Sequence, residues 1–310
     1  MPSLSYLVLL FLHGLYSVAY FAYSCWKRLV YAPPLSLTAP RRQLPKHLAI
    51  LFIPDSGTHY DLTEKCLLES VYRVIDWSKE VGINTLTLYD EHGLLRSLAP
   101  AIERHLLAVV PSQLDDTDYP PTPPLSDCTP RSLSPDCAAP QLPFTTINAS
   151  FDADTHHMLG KPSATRSTTI YVVSADASKP AIAAVASTMA KEEAAYHKLE
   201  ADSPLFSLTI DEMKWRLEGK NGLPPADFMI VHPLSPSKYN RTALELHSFP
   251  LFQTRLTEIH HNRLLARHDA WINWVLPSRF YSRRLPVPLT EVAFREALDD
   301  FAGAEMRFGK

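Results

Sequence analysis

The residues best suited to chemistry in this sequence are Arg307-Phe308-Gly309-Lys310, at the end of the 310-residue chain. A guanidinium fork matches the geometry of a phosphate, and glycine lets the backbone approach an anion closely. The same residues also suit a solvated helix end, where Arg307 and Lys310 would complement the macrodipole. Other familiar chemistry is missing from the sequence. It contains only 9 glycines, with no G-x-G-x-x-G and no G-x-x-x-x-G-K-[ST], which argues against dinucleotide and P-loop enzymes. Neither Ser56 nor Ser235 sits in a G-x-S-x-G elbow, so a serine hydrolase finds no support. The pairs His156-His157 and His260-His261 are adjacent rather than three or four apart, and no H-E-x-x-H occurs, so zinc-ligand spacing is absent. Cys25, Cys66, Cys128 and Cys137 form no C-x-x-C pair and suit free thiols in a reducing compartment. With 30 basic against 33 acidic residues, the net charge of −3 excludes a bulk basic footprint for nucleic acid.

Residues that do chemistry must be held by regular structure, and the sequence alternates in the α/β manner. His47–Ile53 (HLAILFI) reads as a strand buried on both faces. Asp61 followed by Glu64 reads as a capping box opening an amphipathic helix through Leu67, Val71, Val74 and Ile75, with Gly82 as its left-handed terminator. Thr85–Tyr89 is a second strand and Leu94–Val109 a second helix. From Pro111 to Pro143 the chain holds nine of its 27 prolines, and large apolar residues stay scarce to about Thr168. Such a segment buries too little to offset its ordering entropy, so residues 111–168 are expected to be a disordered insertion. Beyond it, Thr169–Ser174, Asp227–His232 and Arg255–Ile259 read as strands. Pro180 opens an alanine-rich helix to about Leu199, and Thr290–Met306 is a final helix with Phe294, Leu298 and Phe301 on one face. The expected fold is α/β: a mostly parallel central sheet flanked by helices, over residues 47–310.

Ahead of this domain, Tyr6–Tyr23 carries no formal charge over 18 residues, about 27 Å of helix, close to the thickness of a bilayer core. Gly14 and His13 dilute it. Lys27, Arg28, Arg41, Arg42 and Lys46 follow, so the positive-inside rule puts the C-terminal side in the cytosol. Residues 1–28 are expected to be a membrane anchor with an N-terminal transmembrane helix, and 29–46 a stalk.

Six stretches in order, HLAILFIPD, WSKEVGINTLTLYDEHG, VVSADASKPAIAAVA, DFMIVH, LHSFPLFQTRLTEI and AEMRFGK, resemble the cis-prenyltransferase family. Within that family the chain looks most like the Nogo-B-receptor-like accessory subunits of dehydrodolichyl diphosphate synthase. The likeness covers roughly residues 47–110 and 168–310. It implies that an aspartate should end the first strand and hold a magnesium diphosphate, with Gly-Asn after it. This chain has Ile53, Pro54 and Asp55 there. Isoleucine cannot ligate a hard cation, and proline lacks an N–H donor. The family's two diphosphate-binding arginines fall on Tyr239 and Glu245, and a carboxylate repels a diphosphate. Its metal-linked glutamate falls on Glu258, which alone is too little for Mg2+ and reads more as structural than as metal-binding.

The resemblance therefore implies an accessory subunit, inactive alone. It would donate Arg307 and Gly309, supported by Phe308, to the isopentenyl diphosphate site of a catalytic cis-prenyltransferase partner. That pair would elongate farnesyl diphosphate at the endoplasmic reticulum membrane for dolichol synthesis and protein glycosylation, with Mg2+ mainly on the partner. The other readings are a self-sufficient homodimeric synthase and a membrane receptor or scaffold with a retired prenyltransferase fold.

Overall fold

A computed structural model describes residues 4–29, 32–54, 59–108, 142–151, 166–199, 209–219, 222–235, 244–262 and 285–304. The chain divides into two compact units, Met1–Ser36 and Leu37–Lys310. The first contains helix α1 (Leu4–Leu29). Along it Leu9, Phe11, Leu12, Leu15, Tyr16 and Val18 are each more than half exposed. Among the described residues, however, no helix is both long enough and apolar enough to cross a membrane. Helix α1 has the length, but His13, Gly14 and its tyrosines interrupt the apolar run, so the expected transmembrane helix is not found.

The second unit is built on a six-stranded sheet: β1 (His47–Ile53), β2 (Thr85–Asp90), β3 (Phe144–Phe151), β4 (Arg166–Val173), β5 (Phe228–Pro233) and β6 (Glu258–His261). Their order is β3-β4-β2-β1-β5-β6, parallel throughout except for β3 against β4. Every residue of β1 is buried, as expected for a central strand covered on both faces. Alternation divides its side chains. Leu48, Ile50 and Phe52 face the larger core, shared with helices α2 (Tyr60–Val81), α3 (Leu94–Ala108) and α6 (Glu291–Gly303). Ala49, Leu51 and Ile53 face a second core with Tyr89, Met229, Val231 and Phe249. On α6 the expected face is buried, with Phe294, Leu298 and Phe301 all at 1% exposure or less. Trp77 of α2 packs on Phe294, and Phe228 at the start of β5 packs on Phe301 with ring centroids 4.9 Å apart.

Four local expectations need correction. Helix α2 begins at Tyr60 with His59 at its N-cap and no side-chain cap, so Asp61 and Glu64 form no capping box. Instead the Thr63 hydroxyl donates to the His59 carbonyl at 3.1 Å. Its other end behaves as expected, with Gly82 at φ 89°. Second, the expected insertion 111–168 is not unstructured throughout. Phe144–Phe151 pairs along its whole length with β4, which itself starts three residues earlier than expected. The β-branched alternation of FTTINASF suits an edge strand once a partner is present; residues 109–141 lie outside the described residues. Third, the last strand is Glu258–His261 rather than Arg255–Ile259. A short turn at Leu251–Gln253 and the Thr257 hydroxyl bonding to the Ala226 carbonyl at 2.7 Å delay the ladder until the Glu258 N–H reaches the Asp227 carbonyl. Fourth, helix α5 (Ile210–Glu218) was not anticipated. It follows α4 (Lys179–Leu199), and its signal was present as Thr209-x-x-Glu212, where the Thr209 hydroxyl accepts from the Glu212 N–H.

The expected stalk is also tighter than its prolines suggest. Leu37 lies in the larger core and Pro45 is buried. The Arg41 side chain is wholly inaccessible, its Nε donating to Asp299 of α6 at 2.8 Å and its Nη1 to the Leu37 carbonyl. Arg41→Ala would remove the guanidinium that pairs with the Asp299 carboxylate. Because Asp299 keeps some water access, the expected cost is about 2 kcal/mol, below the roughly 3–5 kcal/mol found where both ions are buried. Urea unfolding of Arg41→Ala beside Arg41→Lys measures it, with lysine restoring part of the loss.

Candidate functional site: a closed crevice and an open edge

In an open parallel sheet, ligands bind beyond the carboxyl ends of the strands where the chain changes direction across the sheet. Here the chain runs from β1 to β2 on one side and returns to β5 on the other, so that position lies between β1 and β5. It is filled. Ile53 is 5% exposed within the second core, and its carbonyl accepts the Leu234 N–H at 2.9 Å, extending the pairing past both strands. Residues 285–290 then cross the same end. Val287 donates to the Leu234 carbonyl at 2.8 Å, and the Leu289 N–H donates to the Ser70 hydroxyl of α2 at 3.1 Å. Leu289 is fully buried.

His232 fastens this strap. Its ring accepts from the Asn262 amide at 2.9 Å through Nδ1 and donates to the Val287 carbonyl at 3.1 Å through Nε2. With Phe52 edge-on and no water access, burial holds its pKa down at about 4, so the ring is neutral. An imidazole with both nitrogens committed to structure is not poised as an acid or base.

The neighbouring end of β2 is acidic. Asp90, fully buried, accepts the Leu94 and Leu95 N–H groups at 2.7 and 2.9 Å and so caps α3. Burial pushes its carboxyl above the usual range while these two donors pull it back. The Tyr89 hydroxyl donates to the His247 carbonyl at 2.5 Å. Its pKa is raised first by burial, then by the carboxylates of Glu91, Asp90 and Asp176. His247 also faces Glu91 at 3.4 Å. His247 and Ser248 both adopt positive φ, 44° and 61°, a strained pair that the Tyr89 bond and buried Phe249 hold in place. Glu245, where a diphosphate-binding arginine was expected, is exposed at the start of this turn. The three carboxylates around Tyr89, those of Glu91, Asp90 and Asp176, oppose a diphosphate.

The remaining site residues are not gathered here. Register pairs Leu48 with Phe228 and Phe228 with Glu258, so Glu258 lies at the opposite end of the strands from Ile53. Five residue steps separate the two levels, about 17 Å. Glu258 is exposed, and among the described residues no group of three His, Cys, Asp or Glu side chains could hold a metal ion. The described residues therefore do not fit a magnesium diphosphate. His260 pairs with Asp300 of α6 at 2.8 Å instead. Cys66 is free and buried, its thiol pushed up to about 11 by burial, which leaves it unreactive. Asp55, Tyr239 and Arg307-Phe308-Gly309 lie outside the described residues. Asp90, His232 and Asn262 were missed by sequence reasoning. Asp90 alone had a local signal, an acid ending a strand four residues before a helical run.

Helix α6 determines where the tail departs. It starts beside the strap at the carboxyl end of the sheet and runs back until Phe301 meets Phe228 at the amino end. The last described residue, Ala304, thus follows Phe301 at the end of the sheet far from Ile53. No known family model matches the chain, and no curated protein matches it significantly.

Proposed function

We propose that this chain is a non-catalytic subunit of a heteromeric cis-prenyltransferase, acting at a membrane. It lends Arg307 and Gly309, steadied by Phe308, to the isopentenyl diphosphate site of a catalytic partner. One arrangement supports the reading: Ile53 is buried at the carboxyl end of the sheet, while Phe301, three residues before the last described residue, packs on Phe228 at the amino end. From Ala304, Arg307 is three residues away, about 10 Å of extended chain. Its own crevice is about 17 Å distant along the strands alone, farther than those three residues of backbone reach. A second molecule is the natural recipient. The filled crevice and acidic rim weigh against the self-sufficient synthase.

The partner binds Mg2+ and the allylic diphosphate, since this chain's described residues suit neither. Helix α1 supplies the membrane contact through its exposed apolar face, keeping an insoluble polyprenyl product beside the bilayer of the endoplasmic reticulum. Co-expression with a catalytic cis-prenyltransferase subunit tests the reading. The pair is expected to incorporate labelled isopentenyl diphosphate into polyprenyl diphosphate at least tenfold faster than either chain alone. Comparable turnover by this chain alone would establish the homodimeric synthase instead. Co-purification without any gain in turnover would establish the scaffold.

A further inference from the structure

At the amino end of the sheet, on the opposite side of the fold from Ile53, the chain forms a cavity of about 650 Å³. Its walls come from the segment entering β1, from α5, from the loop entering β6 and from the end of α6. The apolar contribution is Leu44, Leu256 and Phe301, with Leu256 70% exposed although it faces a concave surface. The cationic contribution is Lys46, Lys214 and Arg255.

Two carboxylates also line the cavity, and both are engaged. Glu218 is ion-paired with Arg255. Asp227 accepts the backbone N–H groups of Lys46 and His47, both at 3.0 Å. Among the described residues no ion pair engages the ammonium groups of Lys46 or Lys214. The cavity is thus positive overall, with its uncommitted charge in two lysines beside an apolar floor. Its walls are also braced. Asp227 donates its N–H to the His47 carbonyl and accepts the Glu258 N–H, tying the starts of β1, β5 and β6 together. Arg255 is further held over the Phe252 ring at 5.0 Å. A concave, largely apolar site with a few convergent charges has the anatomy of a small-molecule site.

We infer that this cavity binds a single-tailed anionic amphiphile, with a phosphate-like head between Lys46 and Lys214 and an apolar tail along Leu44 and Leu256. The site stands independently of the synthase reading, and neither depends on the other.

Hexyl phosphate, soluble and monomeric, serves as the probe, with inorganic phosphate and hexanol as the two halves of its chemistry. The full-length chain is held in zwitterionic nanodiscs, and amide hydrogen exchange is followed across α5 and residues 252–258. Saturable protection is expected with hexyl phosphate, at least tenfold weaker binding with inorganic phosphate, and none with hexanol. K46E/K214E should weaken hexyl phosphate at least tenfold with β1 and β2 protection unchanged, and K46Q/K214Q repeats the test if reversed charges disturb the fold. Leu256→Asn, which removes the apolar contact without adding charge, should weaken hexyl phosphate and leave inorganic phosphate unaffected. No saturable protection, or protection indifferent to the lysines, as from partitioning into the bilayer, would overturn the inference. Equal binding of inorganic and hexyl phosphate would overturn the amphiphile and leave a plain anion site.

Discussion

Replacing Arg307 by alanine in the assembled complex is expected to lower polyprenyl diphosphate synthesis by about 10²- to 10³-fold or more, from the effect of removing one positioned donor up toward that of losing an arginine supplied in trans. The argument rests on three features. Glu245 stands where a diphosphate-binding cation would be needed in this chain. Asp90, Glu91 and Asp176 crowd the same end of the sheet, as the raised Tyr89 hydroxyl pKa reflects. The arginine's point of departure lies beside Phe228, at the far end. On the proposed reading its charge serves a site outside this chain. Arg307→Lys should recover only a fraction, because an ammonium cannot reproduce a bidentate fork on phosphate. The measurement is isopentenyl diphosphate incorporation by co-purified complex, with size-exclusion elution to show that assembly survives. If Arg307→Ala leaves turnover unchanged in an intact complex, the tail has no part in the chemistry.

The second large effect is loss of stability in acid. His232 has a pKa of about 4 in the folded chain because it is buried with both nitrogens bonded. Unfolded, it titrates near 6.5. Between those values the unfolded state binds the extra proton, so stability falls as pH drops from 6.5 toward 4. The 2.5-unit difference corresponds to about 3 kcal/mol, fully present above pH 6.5. His47 adds to the loss in the same direction. Its ring bonds to the Pro225 carbonyl and the Thr87 hydroxyl, both at 2.8 Å, and burial lowers its pKa. Urea unfolding at pH 7.0, 6.0, 5.0 and 4.5 should show the decline. His232→Asn should be less stable at pH 7 yet decline less steeply, with the residual slope belonging to His47. An unchanged slope in that variant would remove His232 as the cause.

Both effects depend on features with very different visibility in the sequence. The α/β alternation was legible because it is local. HLAILFI is apolar at every position, as a doubly covered strand must be. Phe294, Leu298 and Phe301 recur at helical spacing, and all three are buried. Gly82 marked a helix end that it does terminate. Local signals also misled where tertiary partners overrode them. The proline-rich segment hid an edge strand that exists only against β4, and the Asp61-x-x-Glu64 pattern lay one residue inside a helix already begun.

What the sequence by itself determined is the α/β alternation of most elements, the wholly apolar first strand ending at Ile53, and the residue types Arg307-Phe308-Gly309. Only the tertiary structure decided their arrangement. Strand register put Glu258 at the opposite end from Ile53, a fact that no spacing along the chain encodes. The strap through Val287 and Leu289, fastened by His232 and Asn262, closed the crevice with residues drawn from four distant segments. Arg41 turned a presumed stalk into part of the core through Asp299, 258 residues away. Periodicity reports which face of an element is buried. Which residues meet across the sheet follows from pairing and packing between elements remote in sequence, and that sets Phe301 against Phe228 at the end of the sheet far from Ile53.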